Sequence, residues 1–171
     1  YDGTYLPDGR VIAISNIGYQ GVPCVNGSDA VGNMVLYNPK DKSMRRLTFD
    51  QDANWNPVVM NNGRVMYTRW EYTDLTHYYS RIVMHMNPDG TENKALYGSG
   101  AMFPNSIFDV QPLPGHGSAF VGIISGHHGV ARSGRLILFD PAKGRKGNLG
   151  MTQEIPYRNR PVKEVIKDRL V

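Results

Sequence analysis

Short apolar runs separated by turn-forming clusters set the pattern of this chain. Val11–Ser15, Arg64–Trp70, Arg81–Met86, Ala119–Ile124 and Arg135–Phe139 are rich in β-branched and aromatic residues, a composition that fits a pleated, half-buried surface. No run keeps a helical period between caps. The breaks recur. One series of turn signals is Pro7-Asp8-Gly9, Asn61-Asn62-Gly63 and Pro114-Gly115-His116-Gly117, with Gly9, Gly63 and Gly117 spaced by 54 positions each time. A second series is Asn38-Pro39, Asn87-Pro88 and Asp140-Pro141, with steps of 49 and 53. Two interleaved turn series with one period predict a repeated unit of four short strands, the pattern of β-propeller blades.

The middle unit is the clearest. Strands are expected over Asn56–Met60, Arg64–Trp70, Arg81–Met86 and Lys94–Tyr97. The third unit repeats them at Ile107–Gln111, Ala119–Ile124, Arg135–Phe139 and Gln153–Ile155. The first shows Val11–Ser15, Met34–Tyr37 and Arg45–Phe49, so its innermost strand is expected to be missing. The predicted fold is therefore all-β: one β-propeller region of three four-stranded antiparallel blades over residues 1–50, 51–98 and 99–157, with 158–171 a tail or the start of the next element. Three blades leave open sheet edges, whereas propellers close with about 4–8. Other blades or chains are expected to complete the ring. The opening Tyr1 fits a processed or excised piece of a longer protein.

Composition narrows the function classes. The chain is 40% hydrophobic with 19 Gly and 11 Pro, turn-rich as an all-β domain should be. No apolar run approaches the roughly 18–20 residues of a membrane-spanning helix. The net charge of +4 is spread over Arg45-Arg46, Lys143–Lys146 and Lys163–Arg169. A nucleic-acid binder carries a denser basic stripe interleaved with aromatics, so no nucleic-acid partner is expected. The lone Cys24 excludes an internal disulfide.

Strand parity then sorts the loops. In a four-strand meander, the first-to-second and third-to-fourth turns share one end; the second-to-third loops and the links between blades share the other. The tight turns all fall at the first end. The long loops Asn16–Asn33, Glu71–Ser80 and Gly126–Gly134 fall at the second, and function on a rigid scaffold concentrates on such loops. The second end carries the candidate ligand-binding residues Trp70, Glu71, Tyr72, His77, His127, His128 and Arg132. Glycines flank His127-His128, which lets the backbone turn and expose two imidazoles. With Cys24 or His77 as a third donor, they form a candidate site for a divalent transition metal. Adjacent residues of a strand point to opposite sides, so the same histidines serve equally as substrate or structural hydrogen-bonding groups. The aromatic faces of Trp70, Tyr72, Tyr78 and Tyr79 beside Glu71 suit a sugar ring or a cationic ligand. Trp70 suits equally well the space between two blades. Asp52 with Glu71 or Asp74 makes a candidate carboxylate pair. The chain has no Ser–His–Asp spacing, phosphate loop, nucleotide fingerprint or Cys-x-x-Cys-His haem-attachment motif.

Arg46-Leu47-Thr48, leading through Asp52 and Pro57 to Asn62-Gly63-Arg64 and Val65-Met66-Tyr67-Thr68, resembles the repeat of TolB-type, WD-repeat-like propellers. Leu6-Pro7-Asp8-Gly9-Arg10 followed by Val11–Ser15 matches that family's hairpin more closely, and Met86-Asn87-Pro88-Asp89-Gly90-Thr91 resembles its other turn. More narrowly, Tyr67–Asp74, Met86–Thr91, Pro112-Leu113-Pro114-Gly115 and Gly126-His127-His128-Gly129 are similar to hydrazine synthase α-subunit-like proteins. That resemblance implies a bacterial periplasmic or secreted propeller. It does not carry covalent haem or hydrazine synthesis over, because the haem-attachment motif is missing. TolB-type propellers serve as interaction scaffolds, while related oligogalacturonate lyases are metal-dependent carbohydrate enzymes. The leading expectation is a non-catalytic scaffold that binds a protein or a polar ligand such as a carbohydrate on the long-loop end. The alternative is a metal-dependent enzyme acting there on a carbohydrate or similar polar substrate.

Overall fold

The computed structural model describes residues 1–71, 80–101, 103–126 and 134–156. Twelve strands form three antiparallel meanders among them. The first is β1 (Gly3–Tyr5), β2 (Val11–Ser15), β3 (Asn33–Asn38) and β4 (Ser43–Arg46). The second is β5 (Asn54–Val59), β6 (Val65–Glu71), β7 (Ser80–Met86) and β8 (Lys94–Tyr97). The third is β9 (Ser106–Pro112), β10 (Phe120–Ser125), β11 (Arg135–Phe139) and β12 (Met151–Ile155). One parallel bridge, Arg81 to Ser106, links the last two. The only helical elements among the described residues are two single 3-10 turns, Pro23–Val25 and Pro141–Lys143. The fold is an all-β, propeller-type arrangement that does not close in this section.

The turn chemistry explains where strands start and stop. Gly9 N–H donates to Leu6 O and Gly63 N–H to Met60 O, while Leu6 N–H and Met60 N–H donate to Arg10 O and Arg64 O. Both hairpins need a left-handed residue at their fourth position; Gly9 and Gly63 supply it at φ of 86° and 80°. The third hairpin departs from the even 54-residue spacing. There Leu113 N–H reaches Ala119 O, so the loop is two residues longer. Its left-handed residue is Gly115 at φ 76°, following Pro114, rather than Gly117.

Blade 1 does have an innermost strand, contrary to expectation. Gly3-Thr4-Tyr5 is too short to show alternation, and it begins at a bulge where Ile14 N–H is shared between Tyr1 O and Asp2 O. The outer strand of the same blade ends at Arg46, not Phe49. Leu47 N–H still donates to Met34 O at 2.8 Å while its side chain enters the core, and then Thr48 Oγ1 accepts the Met34 N–H at 2.9 Å, replacing a ladder bond with a side-chain one.

Each blade buries a face against its neighbour. Ile12, Ile14, Met34 and Leu36 of blade 1 meet Val65, Tyr67, Met84 and Met86 of blade 2. On the other side of blade 2, Met66, Val83 and Tyr97 meet Ile107, Phe120, Ile137 and Phe139 of blade 3. The second joint is aromatic: Phe120 and Phe139 stack at 4.7 Å between centroids, and the Tyr97 ring stands edge-on to Phe139 at 4.9 Å. Polar clamps at the tight-turn end reinforce both joints. Arg45 donates to Asp89 O at 2.8 Å, and Asn61 Nδ2 donates to Leu113 O and His116 O at 2.6 and 2.7 Å.

Two predictions follow from this packing. Phe139→Ala removes a ring packed on both sides and is expected to cost about 3–5 kcal/mol in urea unfolding, whereas Tyr19→Ala, on an exposed side chain, should stay within about 0.5 kcal/mol. The second concerns pH. Arg64 Nε donates to His85 Nδ1 at 2.9 Å. Burial first, then Arg64, Lys94 and Arg145, push His85 down to about 4 from 6.5. The folded state therefore resists protonation that the unfolded chain accepts, so stability should hold above pH 6.5 and fall towards pH 4. Thermal melts of His85→Gln, which keeps an acceptor but does not titrate, should show a flatter pH dependence over that interval.

Candidate functional site

The long connections of the three blades leave from one end of the sheets. Ser15 pairs with Asn33, Glu71 with Ser80, and Ile124 with Arg135 at the ends of the β2–β3, β6–β7 and β10–β11 hairpins. Asn54 N–H, at the start of β5, donates to Gly32 O at 2.8 Å, which joins the first end to the second. Arg81 pairs with Ser106, and Ser106 with Ser125, which joins the second to the third.

The floor at this end is aromatic with one guanidinium set into it. Trp55 of β5 and Trp70 of β6 stack at 6.3 Å with 28° between their planes. Arg81 of β7 lies 5.1 Å from the Trp70 centroid, 5.5 Å from Phe108 of β9 and 5.8 Å from Trp55. Its Nη1 donates to Ser106 Oγ at 3.1 Å and its backbone N–H to Asn105 O. Trp70 and Arg81 are direct cross-strand partners, which places both side chains on one side of the sheet. Trp70 is buried, packed also against Val22 and Val31 from the long loop of blade 1. Its ring fills the space between elements, and Trp55 lies half-buried beside it.

Glu71 follows on the opposite side of the strand, where Arg69 holds its carboxylate. Arg69 Nη1 also reaches Asp50 Oδ1 at 3.2 Å. Burial pulls the Arg69 guanidinium down, but Asp50 and Glu71 outweigh it and hold its pKa above the ordinary value. The carboxylate that shares this cation with Glu71 is thus Asp50; Asp52 is buried on the link before β5. Asp50 Oδ2 accepts from Asn54 Nδ2 at 3.1 Å, and the same amide donates to Thr48 Oγ1 at 3.2 Å. Arg46 completes the stitch, donating to Asn33 Oδ1 at 2.8 Å and Thr48 O at 2.7 Å. These bonds tie the long-loop end of blade 1 to the inner strand of blade 2.

Cys24 sits on the 3-10 turn Pro23–Val25, half-buried against the Val22, Val31 and Trp70 cluster. That apolar setting suits a packed thiol more than a metal ligand. Among the described residues, no group of three His, Cys, Asp or Glu side chains could hold a metal ion. Tyr72, Asp74, His77, Tyr78, Tyr79, His127, His128 and Arg132 lie outside the described residues. His116 is at the opposite, tight-turn end, its carbonyl held by Asn61. The sequence reading missed Trp55, Arg69, Arg81 and Phe108. The spacing of Arg69 and Glu71 by two within a strand was a usable signal for a same-side charge pair. The contact of Arg81 with Phe108 depends on how two blades meet, and that with Trp55 reaches across the sheet of blade 2.

No protein-family model matches the chain, and no curated protein matches it. Solved structures do. TolB from Acinetobacter baumannii superposes with a TM-score of 0.54 at 12% identity, over 84% of this chain and 30% of that one. A protein described as TolB from Agrobacterium tumefaciens gives 0.55 at 14%, over 82% and 45%. The tricorn protease gives 0.50 at 13%, over 82% and 11%. The chain spans less than half the length of each of these proteins. At such identities the likeness establishes the TolB-type propeller fold.

Arg69→Leu should destabilise the chain by about 1–3 kcal/mol, because it strands two part-buried carboxylates. Arg10→Ala, which removes the exposed pair with Asp8, should leave the unfolding midpoint essentially unchanged. Paired urea titrations read both.

Proposed function

We propose that this propeller section is a non-catalytic scaffold that binds a protein partner or a polar ligand such as a carbohydrate across its long-loop end. The observation that carries this reading is that the β2–β3, β6–β7 and β10–β11 connections all leave from one end of the sheets, where Trp55, Trp70 and Phe108 pack around Arg81. In this reading Trp70 supports the surface from beneath, while Tyr72, His77, His127, His128 and Arg132 supply contacts. Glu71, neutralised by Arg69, orients its strand end rather than acting as a free base. Blades from the same polypeptide or from another chain complete the ring, and the setting is bacterial, periplasmic or secreted. The likeness to hydrazine synthase α-subunit-like proteins rests on sequence motifs and supplies no haem chemistry here. No helix among the described residues is long and apolar enough to cross a membrane.

A panel of acidic and neutral oligosaccharides, followed by tryptophan fluorescence and calorimetry, tests the ligand arm. Binding is expected to weaken at least tenfold in Tyr72→Ala or His77→Ala and to be unchanged in His116→Ala. Sensitivity to His116→Ala alone would overturn the assignment of the face. Metal analysis separates the enzymatic alternative. Stoichiometric Mn, Zn or Fe that is lost in His127→Ala or His128→Ala would replace the scaffold reading with a metal-dependent enzyme.

A further inference from the structure

We propose that the β2–β3 loop of blade 1 holds a subsite for one neutral sugar ring, with Tyr19 as its stacking platform. This deepens the long-loop-end reading above and rests on it: it names the ligand class and puts one contact on blade 1.

Tyr19 is held against two costs. Its backbone is left-handed at φ 50°, where a bulky side chain is disfavoured. Its side chain is 93% exposed, so packing does not offset that strain. The other left-handed non-glycine residues among those described, Asp2, Asn26, Lys42, Asn56, Glu92 and Asp109, are all polar. Strained positions of this kind persist where the surroundings hold them, and they concentrate at ligand contacts.

The surroundings do hold Tyr19. Its N–H closes a turn onto Asn16 O at 2.9 Å. Beyond it, Val31 N–H donates to Gln20 O and Val22 N–H to Asp29 O, both at 2.8 Å, around the Gly21–Ala30 bridge. Residues 20–31 are thus a small hairpin of their own. Its tip folds back on itself: a Cβ on Gly21 would stand 2.6 Å from Gly27 Cα, which only glycine allows. Both neighbours of Tyr19 are also tied down. Gly18 lies against the Arg46 guanidinium, and Gln20 Nε2 donates to Gln51 O at 3.2 Å on the link to blade 2.

The turn and the hairpin frame an open cavity of about 230 Å³, lined by Tyr19 with Asn16, Gln20, Ser28 and Asp29. The side chains of Asn16, Ser28 and Asp29 and the Gln20 carbonyl have no protein partner among the described residues. Amide, hydroxyl and carboxylate groups both donate to and accept from sugar hydroxyls, and an aromatic face takes the C–H side of the ring. The cavity is smaller than the roughly 300–1,000 Å³ that encloses a drug-sized ligand, which suits a single ring. Its lining holds one carboxylate and no cation, which favours a neutral sugar over an acidic one. Apart from Tyr19 and Ala30 the walls are polar or glycine, so an apolar peptide side chain has little to pack on. A second ring is available to the next unit of an oligosaccharide: Arg46, which touches Gly18, lies 4.6 Å from the centroid of Phe49, itself 74% exposed.

Proton NMR titration of the whole chain tests this, with neutral tetrasaccharides of glucose, of mannose and of N-acetylglucosamine, and with tetragalacturonate and a lysine-rich peptide alongside. At least one neutral tetrasaccharide is expected to bind with a dissociation constant on the order of 1 mM, the strength of a small ligand on an open surface, and to shift the Tyr19 ring signals. Tyr19→Ala should weaken it about tenfold, the loss of one good ring contact, and Tyr19→Trp should preserve it. Tyr19→Gly, which relieves the left-handed backbone, should melt no lower than the unsubstituted chain yet bind as weakly as Tyr19→Ala. Absence of neutral-sugar binding, or tighter binding of tetragalacturonate, overturns the proposal. So does binding of the lysine-rich peptide alone that is lost in Asp29→Asn, which makes this a cation site. Sugar binding lost in Tyr72→Ala or His77→Ala but kept in Tyr19→Ala overturns the subsite and leaves the long-loop-end reading standing. Sugar binding that none of these three alanine variants weakens overturns both.

Discussion

Every other feature of this chain depends on the face-to-face burial of one blade against the next. A four-stranded meander has two sides, and alternation along each strand makes both sides apolar here. Ile12 points one way and Val11 the other; Met66 points one way and Val65 the other. Such a sheet cannot bury both faces alone, since its hydrogen bonds lie within the sheet plane. Blade 2 solves the problem by sitting between two neighbours, with Tyr67 and Met84 on one side and Val83 and Tyr97 on the other. The Phe120–Phe139–Tyr97 cluster and the clamps from Arg45 and Asn61 are means of holding adjacent faces in register.

That packing also organises the ends. Because each blade is a meander, the inner and outer hairpins leave from one end, and the β2–β3, β6–β7 and β10–β11 connections leave from the other. The hairpin end is closed by backbone turns and by the Arg45 and Asn61 side chains. The long end is held by side chains: Thr48, Asn54, Asp50 and Arg69 run in a hydrogen-bonded line from blade 1 into blade 2. Two residues that look reactive in isolation are committed by this arrangement. Glu71 is neutralised by Arg69, and the Cys24 thiol packs among apolar side chains. Beneath this end, Trp55, Trp70 and Phe108 pack around the Arg81 guanidinium.

The strand pattern was legible because period-2 alternation and turn chemistry are local. Val11–Ser15, Lys94–Tyr97 and Arg135–Phe139 match the structure at both ends. The errors occur where local signals compete with tertiary ones. Gly3–Tyr5 is a strand because β2 is there to pair with it. Leu47–Phe49 reads as strand, but the backbone ladder stops after Leu47, because Thr48 Oγ1 takes the Met34 N–H in place of a backbone carbonyl. Gly117 shared the spacing of Gly9 and Gly63, but Pro114-Gly115 forms the turn two residues earlier. At the long-loop end, parity alone placed Trp70 and Glu71. It could not foresee Arg81 against Trp55, two strands away in blade 2, or against Phe108, a contact made only when blades 2 and 3 meet.

The dependence of each blade on its neighbours is most directly tested by native-state hydrogen exchange of the chain. Opening free energies should be highest in β6 and β7, where both faces are covered, and should fall outward into β2–β3 and β10–β11. Equal protection in all three blades, or a maximum in an outer one, would contradict the claim that face-to-face packing holds this fold together.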